Sequence, residues 1–194
     1  MPRDFLSVPL EDYLDELARE TRVPGAGPAA ALTAAAAASL VAMAARYSRG
    51  SWPEATTTVA QAEALRRRAT QLAVEDADAL DEFLAARETP IDPRPEARDF
   101  HLGRMLARAA DAPLAISETA CDVAMLAQYV AERGEPEVRA DAAAAAMLAH
   151  GAARAAAHLV EVNLAAAADD ERIVRARGLA STAGEAAERA AAPA

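Results

Sequence analysis

Apolar positions along this chain recur at helical spacing and nowhere alternate with polar ones over a useful length, a pattern of helices without strands. A first helix is predicted over about 10–19, before the segment Pro24-Gly25-Ala26-Gly27-Pro28. A long second helix follows over about 28–47 and stops at Ser48-Arg49-Gly50-Ser51-Trp52-Pro53. Pro53 suits a first helical position, so a third helix runs from there to about residue 87. The clearest loop is Thr89-Pro90-Ile91-Asp92-Pro93-Arg94-Pro95. A fourth helix is predicted over about 96–132 with Pro113 inside it, where proline removes a hydrogen bond and predicts a kink or break. A fifth spans about 136–168 and a sixth about 170–189, with a tail that frays from about 190. The expectation is an all-α, single-domain bundle of five to six helices covering residues 1–194.

Composition sharpens that picture. Alanine supplies about 30% of the chain and aromatic residues only 4%, so the helices must approach one another closely. The uncharged stretch 23–45 resembles a membrane span in length, but its apolar content is mostly alanine, which reads as a helix buried inside a bundle. A formal charge of −10, with all twenty basic residues arginine, argues against nucleic acid and anionic membrane surfaces as partners. The lone cysteine, Cys121, carries no disulfide signature, and the first residues lack a secretory layout, so the expected location is the cytoplasm.

Polar residues on core-facing stripes then stand out. In the third helix Leu65, Ala69, Leu72, Ala79 and Phe83 form an apolar stripe, and Asp76 falls on it, while Glu75, Asp78, Asp81 and Glu82 point elsewhere. Burial raises a carboxyl's pKa and so prepares a general acid or base; the alternative is a structural Asp–Arg pair or a cap. In the fourth helix Leu114, Cys121, Met125 and Tyr129 form a similar stripe that includes Glu118, which either assists a reaction or holds an arginine. Ile116, Val123 and Val130 make a second apolar face there.

In the fifth helix Leu148, Leu159 and Val162 share a face, with Asp141 and Asn163 within about 60° of Leu148. Asp141 also suits a cap near the helix start, and a buried Asn163 must bond a neighbouring helix or read a ligand. These two residues lie about 33 Å apart along a straight helix and cannot serve one small pocket. Gly25 and Gly27 open the second helix, where backbone N–H groups can face an anion, although a tight turn needs the same glycines. His101, His150 and His158 have no metal-ligand spacing, and neither a phosphate loop nor a dinucleotide fingerprint occurs, so no metal or cofactor is expected.

The order of these motifs resembles the cyclodeaminase/cyclohydrolase family over nearly the whole chain, about 5–171. It comprises the Pro-Gly-x-Gly loop, the alanine-rich helix, Asp76-Ala77-Asp78-Ala79, Pro113-Leu114 with Ser117-Glu118-Thr119, Asp141, and Val160-Glu161-Val162-Asn163-Leu164. The resemblance implies a metal-free helical bundle, a homodimer or larger assembly, acting on one-carbon units carried by tetrahydrofolate. It implies ring closure of 5-formimidoyltetrahydrofolate with loss of ammonia, or hydration of the methenyl bridge to 10-formyltetrahydrofolate. Asp76 matches the aspartate that opens the family's Asp-Ala-Glu-Ala stretch and is proposed there as the acid. Gly25, Gly27 and Asn163 are then expected to position substrate, with Asp141 and Glu118 as further candidates.

The departures fall at Ala26 and Pro28 in the loop, at Leu159 where the family has asparagine, at Glu135, and at Ile91 in place of lysine. A lysine-free chain must meet the folate glutamate tail with arginine, and Arg94 and Arg98 are the candidates near that loop. Two other readings stay open: a same-fold enzyme acting on a C–N bond of a non-folate imine or amidine, and a non-catalytic dimeric bundle.

Overall fold

Among the described residues seven α-helices follow one another without a strand: α1 (Leu10–Leu17), α2 (Ala26–Tyr47), α3 (Ala55–Glu88), α4 (Pro95–Ala109), α5 (Asp111–Arg133), α6 (Arg139–Asn163) and α7 (Glu171–Ala191). The computed structural model describes residues 5–20, 23–88 and 94–192, the side chains of Pro95 and Arg98 excepted. Most of the proline-rich loop and the last two residues lie outside that range. α2 packs against α3, α5 and α6, α5 packs most extensively on α6, and α7 closes the group against both.

α2 begins two residues earlier than its pattern predicts, because Gly25 adopts φ 78° and lets the chain turn into Ala26 and Gly27 as the first helical residues. By length and composition this helix could cross a membrane, but its small side chains are largely buried against its neighbours. At its far end the Ser48 hydroxyl donates to the Ala44 carbonyl at 2.9 Å and accepts the Glu135 N–H at 2.9 Å, tying α2 to the end of α5. Glu135, one of the departures from the family, also accepts from the Ser51 hydroxyl at this latch. It therefore belongs to the end of the bundle away from Gly27.

The expected break near Pro113 in the long fourth helix falls at Ala110, between α4 and α5. The pyrrolidine ring collides with the carbonyl four residues earlier, which is Ala109, so the interruption belongs one turn before the proline. α6 ends at Asn163, five residues short of the prediction, and Ala165 to Ala168 are exposed turns. With nothing to pack against, their helix propensity alone does not sustain the helix. α7 is capped by the Asp170 side chain, which accepts the Arg172 N–H at 3.0 Å. It does not fray at 190: Ala190 is buried, and Arg139 donates to the Ala192 carbonyl at 3.0 Å.

One face is the reverse of its pattern. α6 turns its alanines inward (Ala145, Ala149, Ala153 and Ala156 are fully buried) and leaves Met147, Leu148 and Val162 exposed. Methyl-sized side chains let α2 and α5 approach it closely, so the face with small residues, not the one with large ones, became the core. α5 buries Ile116, Val123 and Val130 on one predicted apolar face and Leu114 and Cys121 on the other, where Met125 and Tyr129 are exposed.

Candidate active site

The apolar stripe of α3 explains where the site sits. Ala69, Leu72, Ala73 and Ala77 are buried in the bundle, but beyond them Asp76, Ala79, Leu80 and Phe83 face a cavity of about 280 Å³. Ala26 and Gly27 of α2, Leu106 and Ala109 of α4, Pro113 of α5, and Leu159, Val162 and Asn163 of α6 complete its wall. Glu75, Asp78, Asp81 and Glu82 are exposed, as the spacing predicts.

Among the described residues Asp76 is the one ionisable side chain lining this cavity. Its carboxyl is half-buried, and burial pushes its pKa from 3.8 up to about 6. It makes no ion pair or side-chain hydrogen bond within the described residues, so the structural-pair alternative is not what the geometry shows. Gly27 makes room for it: a Cβ on that glycine would lie 1.9 Å from Asp76 Oδ2 and 2.3 Å from Cγ. The glycine is therefore required by close approach of a carboxylate to the helix backbone. The first-turn N–H groups of α2 lack intrahelical partners, and Pro28 removes one of them.

Asn163 faces the cavity while its amide donates to the Ala109 carbonyl at 3.0 Å. That carbonyl is the acceptor the missing N–H of Pro113 would otherwise have used. Arg172 braces the same break: it donates to the Ala107 carbonyl at 2.7 Å and to Asp111 at 2.7 Å. It also grips both oxygens of Asp170, whose pKa it holds down to about 2. These two side chains fix α4 and α5 as cavity walls.

The other candidates are elsewhere. Glu118 pairs with Arg175 of α7 at 2.6 Å, outside the cavity, and so takes the arginine-holding role. Asp141 is exposed in the first turn of α6, at the opposite end of that helix from Asn163, and makes no capping bond. Gly25 shapes the turn without lining the cavity. The side chain of Arg98 lies outside the described residues, as does Ile91, and Arg94 is exposed at the start of α4. Cys121 is buried, and its thiol is pushed up by burial and by the neighbouring Asp122, so it packs as a small apolar side chain. Among the described residues no group of three or more His, Cys, Asp or Glu side chains could hold a metal ion.

Residues 9–181 match the formiminotransferase-cyclodeaminase family. The chain is 34% identical over 192 residues to a methenyltetrahydrofolate cyclohydrolase of Methylorubrum extorquens, covering 93% of this chain and 92% of that one. Its fold resembles the crystal structure of a formiminotetrahydrofolate cyclodeaminase from Thermotoga maritima, with a TM-score of 0.84 and 22% identity over 95% and 94% of the two chains.

Proposed function

The chain belongs to the formiminotransferase-cyclodeaminase family, and from that premise we propose that it is a folate one-carbon enzyme, foremost a methenyltetrahydrofolate cyclohydrolase. The observation that carries the mechanism is Asp76, half-buried against Gly27, with no ion pair among the described residues, in a cavity whose other lining is apolar apart from Asn163. The methenyl bridge is a cationic amidine carbon between N5 and N10. A carboxylate beside it stabilises that charge and accepts a proton from the attacking water. The tetrahedral carbon then collapses: the C–N5 bond breaks, the carboxyl returns a proton to N5, the hydroxyl becomes the formyl carbonyl, and one proton is released overall. The reaction needs only water and proton transfer, and no metal or cofactor is part of the proposal.

In the related cyclodeaminase reaction N10 attacks the carbon of the protonated formimidoyl group, its proton passes through the same carboxyl to the –NH2 nitrogen, and the C–N bond breaks to release ammonia and leave the methenyl cation. The 34% identity to a cyclohydrolase favours the hydration. Asn163 and the first turn of α2 border the cavity and would orient the ring system. Within this reading the enzyme works as a cytoplasmic homodimer. The test is the loss of methenyltetrahydrofolate absorbance, corrected for hydrolysis in buffer, together with ammonia release from formimidoyltetrahydrofolate. Acceleration of the first reaction that Asp76→Asn abolishes is expected; no acceleration of either reaction would end the folate reading.

A further inference from the structure

The Asp76 cavity, at about 280 Å³, takes a compact ring system but not the whole of a folate, since sites for drug-sized ligands run to about 300–1,000 Å³. The rest of the substrate must leave through a neighbouring space. On the α4 side a second hollow of about 170 Å³ shares Ala79 and Ala109 with the first, and Glu82, Met105, Arg108 and Asp111 complete it. Of its charged groups, Asp111 is held by Arg172 at 2.7 Å. Arg108 is exposed and makes no ion pair or side-chain hydrogen bond among the described residues. Among the described residues it is the sole cationic side chain lining either hollow.

A chain of net charge −10 repels a dicarboxylate at long range, so an anionic tail needs a local cation to hold it. Arginine meets a carboxylate with a planar fork of donors, which suits it to this task. We infer that Arg108 binds the carboxylates of the substrate's glutamate tail, which runs from the Asp76 cavity over Ala79 and Ala109 into the second hollow. This rests on the folate reading. The adjoining Glu82 opposes the tail's charge, so the two residues have effects of opposite sign.

The experiment compares methenyltetrahydrofolate with its glutamate diamide, equal in size but without the tail charges, on wild type, Arg108→Gln and Glu82→Gln. Loss of a charge-assisted contact at a solvent-facing site raises KM of the free acid by about tenfold in Arg108→Gln, with the loss falling on KM rather than kcat. The diamide should have the same KM with and without the arginine. Glu82→Gln should lower KM of the free acid by a few-fold. An equal rise for both substrates would assign Arg108 to the ring instead, and no change for either would remove it from the site; both overturn the inference. Wild-type enzyme inert toward both substrates would sink the folate reading itself, and this inference with it.

Discussion

Replacing Asp76 with asparagine should make the protein more stable above neutrality while removing its activity. In the folded chain burial raises the carboxyl pKa from 3.8 to about 6, and in the unfolded chain the ordinary value returns. Well below pH 4 both states are protonated and the shift has no effect on stability. As pH rises the unfolded state ionises first, so ionisation progressively favours unfolding until the folded carboxyl also loses its proton. By linkage the cost to the folded state is about 1.6 kcal/mol near pH 5 and about 3 kcal/mol near pH 8. Asparagine carries no such cost, although burying its amide takes back about 1 kcal/mol.

The net gain is then about 2 kcal/mol near pH 8, a rise in Tm of roughly 4–8 °C for a chain of this size, and it shrinks to about 0.6 kcal/mol near pH 5. Thermal melts of wild type and Asp76→Asn across that range read the effect directly. A variant no more stable than wild type near pH 8, or a gain that ignores pH, would mean that the folded carboxyl is not dehydrated. A loss of stability at every pH would mean that it is a structural partner.

Gly27→Ala should fold normally, because the atoms its methyl would meet are the movable end of Asp76, yet lose roughly 100-fold or more in kcat through displacement of that carboxyl; circular dichroism beside the hydration assay checks both halves. Asn163→Ala leaves the Ala109 carbonyl without its partner and should lower stability by about 1–2 kcal/mol, seen in urea titration, together with kcat/KM. If Asp76 acts as the base, kcat/KM for methenyltetrahydrofolate should rise with pH through a midpoint near 6, as the reactive carboxylate forms, and a flat profile would contradict this.

Where large and small apolar residues share one periodic stripe, as on α3, the sequence pattern and the packing agree, and Asp76 could be picked out by position alone. On α6 the same reasoning selects the wrong face, because a line of large side chains competes there with a line of alanines, and hydrophobic spacing cannot tell which of two apolar faces a crowded interior will accept. Leu148 looked like core because it is large, and it is exposed for the same reason. The break at Ala110 is legible through Pro113, and a neighbouring-helix bond of Asn163 is among its expected roles, but which carbonyls Asn163 and Arg172 reach is not, since the contacts span 54 and 65 positions of the chain. Arg108 carries no local signal at all; only the fold brings it beside Ala79.

The methyl-lined interior has a consequence for how this molecule can diversify. Alanine has no rotamers to freeze when it is enclosed, so each position is cheap to order. Any added methylene forces neighbouring rods apart, at about 1–3 kcal/mol per site. Mutational drift toward bulkier residues is thereby barred at the buried alanines of α2 and α6. New substrate preference must arise at the open end, where Leu80, Phe83, Leu106 and Leu159 can change size without prising the rods apart.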